Sequence, residues 1–220
     1  MAVLSPRASL TAPVSLETVA ASVQTALLGI EQILVVPDPL ASVLPGGGVR
    51  RGSVVLVDGP VGAGSTSIAL QLAAAATDTG EWAALLDDDG SLSSVAVADL
   101  GVALERFLVV RDVTAARWPN VVALLSDAVS LVACRAPRGL PLGIARRLAA
   151  RARRRGTVLV VSGEWPGEAG LRVWTDRSVW SGLDADGGGA LSERSIHLMI
   201  EGQGVKDASR SIALSSRLAS

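Results

Sequence analysis

A glycine-rich segment between an apolar run and a helix-like run is the part of this chain whose residue types could bind phosphate. Residues 59–67 read GPVGAGSTS; they follow the apolar run 53–58 and precede the helix-like run 68–74. A strand, a glycine turn and a helix start are the context in which the pattern GxxxxGK, followed by Ser or Thr, forms a phosphate-binding loop. Such a loop works because backbone N–H groups and a helix N-terminus point at the anion.

The loop keeps the residues that its backbone needs but has lost its charged side chain. Gly59, Gly62 and Gly64 supply the glycines. Ser65 stands where a lysine would neutralise the β- and γ-phosphates, and Thr66 keeps the hydroxyl that would hold magnesium. We therefore predict a vestigial phosphate loop with weak or no nucleotide binding, no cofactor and no metal ion. The favoured interpretation is a tight strand-to-helix turn inherited from a nucleotide-binding ancestor, and weak nucleotide binding is the alternative.

The acid that normally completes such a site is also absent. It ends a later buried strand, where its carboxylate orients magnesium. The candidate strand here is 129–134, and the next residue is Arg135. A guanidinium stays charged at any working pH and cannot ligate a cation. Together, the two losses predict that the protein is not an enzyme.

Three consecutive acids, Asp87, Asp88 and Asp89, follow the predicted strand 82–86. We expect this strand to lie in the same sheet as the strand that precedes Arg135. The hypothesis is that Arg135 pairs with one or more of these acids across the degenerate site. The alternative is that all four side chains face water, where an ion pair contributes about 0–1 kcal/mol.

A predicted helix over residues 142–154 places Arg147, Arg151 and Arg154 on one side. These arginines form either a solvated helix face or a docking surface for an acidic partner or DNA. Trp165 has two similar interpretations, as core packing or as part of an exposed binding patch.

Two further aromatic residues and the lone histidine lie in the C-terminal part. Trp174 and Trp180 have even spacing, so they share a face if one strand spans them. His197 lies out of phase with its apolar neighbours and is predicted to be a strand surface residue.

Composition excludes several classes of protein. The chain has 220 residues and a net charge of −1, which argues against broad electrostatic attraction to nucleic acid. No uninterrupted apolar run reaches the roughly 18 residues of a spanning helix, and no signal-peptide pattern is present. We therefore expect no membrane association. The single cysteine, Cys134, excludes an internal disulfide and fits a reducing cytoplasm.

Strand-like and helix-like segments alternate along most of the chain. Predicted strands are 54–57, 82–86, 106–110, 129–134 and 157–161, and predicted helices are 66–76, 93–100, 119–127 and 142–154. This alternation predicts a parallel sheet covered by helices on both faces. The period-two pattern of 194–200 after a turn at 184–189 predicts antiparallel C-terminal strands. A segment over 1–43 with one amphipathic helix at 15–31 precedes the main domain, 44–220.

These elements resemble the RecA superfamily over residues 44–214. The lead-in LPGGGVRRG at 44–52 is similar to the LPxGxxxG approach to the RecA phosphate loop. The sequence LLDDD at 85–89 resembles the RecA strand whose last acid is the catalytic glutamate, a position that Asp89 holds here. PLGIARRL at 141–148 resembles the helix that carries the first DNA-binding loop. The resemblance implies an α/β fold: a RecA-like core with a mainly parallel sheet flanked by helices, and antiparallel C-terminal strands.

Degenerate RecA-like chains of this size with an LPGGG lead-in resemble the ImuA-type proteins, particularly the actinobacterial branch. This resemblance implies a non-catalytic adaptor in DNA-damage-induced (SOS) translesion synthesis and mutagenesis. The implied partners are an ImuB-like Y-family polymerase homologue and an error-prone replicative-type polymerase, with a weak DNA contact. Other functions remain open: a nucleotide-binding switch without hydrolysis, a SulA-like cell-division inhibitor, or a DNA-binding recombination mediator.

Overall fold

The computed structural model describes residues 32–60, 62–183, 189–202, 205 and 208–214. The chain divides into two units, Met1–Gln32 and Ile33–Ser220. The helix predicted at 15–31 lies outside the described residues. The compact second unit begins at Ile33, ahead of the predicted start at 44, because Leu34 and Val36 are already buried in its core.

Ten strands occur in the described part of the chain: β1 (Ile33–Val35), β2 (Gly48–Arg50), β3 (Val54–Asp58), β4 (Ala83–Leu86), β5 (Phe107–Val110), β6 (Leu131–Arg135), β7 (Val158–Ser162), β8 (Leu171–Leu183), β9 (Gly189–Gly202) and β10 (Ala208–Leu214). β1 and β2 form a small antiparallel pair. The others form one sheet in the order β10-β9-β8-β3-β7-β6-β4-β5. The strands from β8 to β5 in this order are parallel, and β9 and β10 are antiparallel additions.

The described helices are α1 (Ser65–Asp78), α2 (Ser94–Asp99), α3 (Trp118–Ala128) and α4 (Leu142–Arg155). Two apolar clusters fill the space between these helices and the two faces of the sheet. β3 contributes to both, since Val55 and Val57 face the cluster of α1 while Val54 and Leu56 face the cluster of α3 and α4. Full burial of one such side chain contributes about 1.5–3 kcal/mol. The predicted α/β fold with a mainly parallel, two-sided sheet and antiparallel C-terminal strands is confirmed.

Parallel pairing brings the carboxyl ends of the central strands to one edge of the sheet. The glycine loop follows β3, the three aspartates follow β4, and Arg135 ends β6. β6 and β4 are neighbours, whereas β7 separates β6 from β3. Arg135 therefore lies beside the aspartates, and one strand, β7, separates it from the strand that precedes the loop.

The C-terminal hairpin contains an irregularity that the sequence pattern did not predict. The β8–β9 register shifts between Thr175 and Arg177, which is the mark of a β-bulge. Trp174 therefore pairs with Met199 and Trp180 with Arg194, two positions that face opposite sides of β9. The prediction that Trp174 and Trp180 share a face is wrong, because the extra residue reverses the alternation. Residues 184–188, where the turn was predicted, lie outside the described residues.

His197 lies on the face opposite the buried Ile196 and Leu198, as predicted, and its Nδ1 is 3.4 Å from an Asp176 carboxylate oxygen. No helix in the described ranges is both long and apolar enough to cross a membrane.

Candidate phosphate-binding site

The glycine loop joins the end of β3 to the start of α1, as the sequence predicted. The backbone has φ angles of 80° at Gly62 and 103° at Gly64, a region that glycine adopts far more readily than other residues. The Ala63 N–H donates to the Pro60 carbonyl at 2.9 Å, which closes the turn. The sequence thus forms the predicted strand, turn and helix start.

The backbone N–H groups at the start of α1 have no hydrogen-bond acceptor among the described residues. The first helical hydrogen bond is donated by Ile68 to the Gly64 carbonyl, and the N–H groups of residues 64–67 donate to no described backbone carbonyl. Gly64 is the N-cap and provides no side-chain acceptor, and the first turn contains no acidic residue. The positive end of the helix dipole therefore faces the loop, and no described residue in the first turn supplies a counter-charge.

The two hydroxyl residues at the start of α1 do not reproduce a lysine. Ser65 is partly buried, and its Oγ lies 3.7 Å from the position that a Cβ on Gly59 would occupy. Thr66 is exposed. Neither side chain reaches the point that a long cationic side chain would occupy beside a terminal phosphate.

The loop nevertheless has a cation beside it, supplied by Arg194 of β9. Arg194 is only 8% exposed; its Nη2 donates to the Gly62 carbonyl and its Nε donates to Ser178 Oγ at 2.8 Å. Its Cζ lies 5.1 Å from the centroid of the Trp180 ring, a cation–π contact. A Cβ on Gly64 would be 3.1 Å from Arg194 Nη1, so the guanidinium packs directly against the helix N-cap.

Sequence reasoning missed Arg194 as a site residue. Its signal was present: Arg194 is in phase with Ile196, Leu198 and Ile200, which form the buried face of β9. An arginine that continues a buried apolar stripe needs a polar reason to be there, because an unpaired buried charge is costly. Burial lowers the pKa of Arg194. Within the described ranges, no carboxylate lies within ion-pair distance of its guanidinium.

Thr175 adds a polar atom at the base of the same loop. The residue is 4% exposed, and its Oγ1 has no hydrogen-bond partner among the described residues. Its Cβ lies 3.5 Å from the position of a Cβ on Gly59.

The acidic end of β4 is organised differently from the prediction. Asp87 is 5% exposed, and its carboxylate accepts a hydrogen bond from Arg111 Nε at 2.8 Å. Arg111 follows β5, and the Asp87 N–H donates to the Val110 carbonyl at 2.9 Å, which brings the two residues side by side. Asp89 is exposed and accepts from the N–H and hydroxyl of Ser91.

The predicted pairing of Arg135 with these acids is therefore wrong. Arg135 is exposed and forms no ion pair with a described residue, because Arg111 from the neighbouring edge strand takes Asp87. The charge of Arg135 still acts at a distance. Burial raises the pKa of Asp88, and the positive charge of Arg135 partly opposes this rise. Burial also raises the pKa of the neighbouring Cys134 thiol.

The arginine side of α4 is only partly available to a partner. Arg151 donates two hydrogen bonds to the carboxylate of Asp127 in α3, one from Nε at 2.9 Å and one from Nη2. Arg155 Nε donates a third to the same carboxylate at 2.9 Å. The hydrogen bond from Arg151 is the main cause that lowers the pKa of Asp127 to about 2. Arg151 thus ties two helices together. Arg147 and Arg154 are exposed and make no ion pair with a described residue.

Trp165 belongs to the core and not to a binding patch. It is 7% exposed within the cluster of α3 and α4, and its Nε1 donates to the Glu168 carbonyl at 3.4 Å. The core-packing interpretation is confirmed for Trp165, and its assignment to a partner or DNA surface is wrong.

Fold and site together define a RecA-like α/β domain whose phosphate loop has no lysine and whose site has no acid at the end of β6. The chain belongs to the MT3502 N-terminal domain family, whose model matches residues 42–167, more than half of the chain. It is also similar to protein RecA of Heliobacterium modesticaldum, with 41% identity over 63 residues that cover 29% of this chain. The aligned part covers 18% of that RecA, less than a fifth of its length. This local match supports a RecA-like relationship.

Proposed function

We propose that the protein is a non-catalytic RecA-like adaptor in DNA-damage-induced translesion synthesis, and that it binds an ImuB-like Y-family polymerase homologue in the cytoplasm beside an error-prone replicative-type polymerase. The observation that carries the proposal is the exchange of side chains at the two positions on which turnover depends. Ser65 replaces the lysine of the phosphate loop, and Arg135 stands where a carboxylate would orient magnesium.

Two of the acids at this edge, Asp87 and Asp89, support the same conclusion. A catalytic acid must orient water or a metal ion, so its oxygens must face the reacting phosphate. Asp87 is buried against Arg111, and Asp89 accepts two hydrogen bonds within its own turn from Ser91. These contacts hold both carboxylates in structural roles.

The edge strand β5 is the described surface that best fits a protein partner. It ends the sheet, so one side of its backbone has no neighbouring strand among the described residues. Leu108 and Val109 in this strand are 38% and 42% exposed, and Leu104 just before it is 45% exposed. An open edge with exposed apolar side chains is the arrangement to which an extended segment of a partner can add as another strand.

Co-purification tests the adaptor proposal. Tagged full-length protein co-expressed with an ImuB-like homologue should retain that homologue through affinity and size-exclusion steps. Leu108→Glu should weaken retention, because a charge on the edge strand opposes strand addition. Leu124→Glu is the matched control, since Leu124 is 69% exposed on α3.

Failure of the wild-type protein to retain the homologue would contradict the adaptor role. Equal loss of retention in both variants would contradict the assignment of the surface to β5 while leaving the adaptor role intact.

The proposal includes a weak DNA contact through the exposed Arg147 and Arg154 of α4. Single-stranded DNA affinity should be modest and should fall steeply with added salt, because phosphate contacts release counter-ions. In fluorescence anisotropy, Arg147→Ala with Arg154→Ala should weaken binding and flatten the salt dependence. An affinity unchanged by the double substitution would remove α4 from the contact.

A further inference from the structure

We propose that Arg194 supplies the positive charge that the phosphate loop lacks, and that Arg194, the α1 N-terminus and Thr175 together bind an oligophosphate without hydrolysing it. The lost lysine is then replaced by a cation from a distant strand. The proposal goes beyond the adaptor function and does not depend on it, because a bound phosphate chain requires no polymerase partner.

Positive charge gathers at the loop from two sources. The guanidinium of Arg194 packs against Gly64, the N-cap of α1, where the helix dipole is also positive. Two positive groups in contact repel each other, and an anion beside them would offset that repulsion more strongly than the Gly62 carbonyl and the Trp180 ring can. No carboxylate among the described residues provides that anion.

Several N–H donors at the loop have no acceptor among the described residues. A guanidinium has five N–H donors, and Arg194 uses only two of them in the described contacts, one to Gly62 and one to Ser178. The N–H groups of residues 64–67 are also without a described backbone acceptor. Phosphate oxygens match such a set of donors, because arginine and a helix N-terminus both favour multiply charged oxyanions.

Thr175 places a polar side chain at the base of the loop, away from the start of the helix. Thr175 is more than nine-tenths buried beside Gly59, and its Oγ1 has no partner in the described structure. A buried hydroxyl without a partner is costly. Because Oγ1 has almost no exposed surface, an acceptor oxygen at the base of the loop satisfies it only when the loop shifts to admit the ligand.

Access for such a ligand is open on the solvent side. Gly59, Pro60, Gly62 and Thr66 are exposed, whereas Arg194 and Thr175 form the buried wall. The hairpin of β8 and β9 thus covers one side of the loop, and the exposed residues lie on the other side.

Isothermal titration of the full-length protein with ATP and with inorganic tripolyphosphate tests the site. The wild-type protein should bind tripolyphosphate with a Kd in the micromolar range. Arg194→Ala should weaken binding at least tenfold, whereas Arg172→Ala, an exposed arginine of β8, should leave it unchanged. Equal affinity for the two probes would mean that only the phosphate chain is recognised, and tighter ATP binding would add a contact to the nucleoside.

Two further variants separate charge from packing. Arg194→Lys keeps the charge and much of the packing, so it should retain more affinity than Arg194→Ala. Ser65→Lys in the Arg194→Ala background returns a cation to the loop by the usual route and should restore binding.

Three results would overturn the proposal. The first is a wild-type protein that binds neither probe. The second is an Arg194→Ala variant that binds as tightly as the wild type or more tightly, since the guanidinium would then exclude the ligand. The third is failure of Ser65→Lys to restore binding in a variant whose melting temperature shows that it is folded.

Discussion

The glycine loop after β3 and the acidic end of β4 lie at the same edge of one sheet, yet they have diverged in different ways. The loop retains its backbone form, with left-handed glycines at Gly62 and Gly64 and, at the start of α1, N–H groups that donate to no described backbone carbonyl. The acidic end retains its carboxylates but uses two of them in structural contacts, Asp87 with Arg111 and Asp89 with Ser91.

The difference shows which parts of a nucleotide site survive the loss of particular side chains. Phosphate binding by a loop depends mainly on backbone geometry, which several side-chain sets can support. Turnover depends on a carboxylate in one place, and Arg135 stands there at the end of β6, so we propose that this site binds without turnover.

The largest expected effect comes from changing the loop backbone. Gly64→Ala should lower the free energy of unfolding by about 3 kcal/mol, because its φ of 103° strains any side chain and the new Cβ would meet Arg194 and Ile196 at 3.1 Å. Gly90→Ala, in the turn after the aspartates, is the matched control. Its φ is 67° and nothing lies within 4 Å of the added Cβ, so it should cost only about 1 kcal/mol.

Urea unfolding of the two glycine variants measures this difference. Equal losses would show that the contact of Arg194 with the loop does not contribute to packing at Gly64. Both losses would then come from backbone strain alone.

The next effect concerns the acidic end. Arg111→Ala should lower the free energy of unfolding by about 2 kcal/mol, because it leaves the buried carboxylate of Asp87 without its charged donor. Arg135→Ala should change stability by less than about 0.5 kcal/mol, because Arg135 is exposed and forms no ion pair in the described structure. Thermal unfolding of both variants measures which substitution is more destabilising. A larger loss for Arg135→Ala would indicate that Arg135, and not Arg111, pairs with the aspartates.

The smallest expected effect lies away from both regions, at the contact of α3 with α4. The pKa of Asp127 is lowered to about 2, below the value of about 3.9 for an unfolded chain. The contact with Arg151 and Arg155 therefore stabilises the fold above about pH 4, and its contribution is lost as the pH falls toward about 2. Asp127→Asn should slightly lower the melting temperature at pH 7 and flatten its decline in this acid range. An unchanged acid profile would show that the arginines do not hold Asp127 in solution.

The sequence predicted the regular elements well and the long-range side-chain partners poorly. Alternating apolar segments identified β3 to β7 and their helices, since burial on both faces of a parallel sheet leaves a continuous apolar run. The loop was predicted for a similar reason, because glycine spacing encodes local backbone geometry.

The errors have physical causes in particular residues. The strand order places β4 between β6 and β5, so two arginines were near Asp87, and no local pattern tells which one reaches it. The bulge near Asp176 reversed the faces of β8 and separated Trp174 from Trp180. Arg194 lies far from the loop in the sequence, so only the packing of β9 beside β8 and β3 reveals their contact.

The most direct test of the central claim is phosphate release from ATP by the purified full-length protein, with and without single-stranded DNA. We predict no phosphate release above the level of a protein-free blank, even under conditions in which ATP is bound. Release that depends on the protein, and that is abolished by Ser65→Ala or Arg135→Ala, would contradict it.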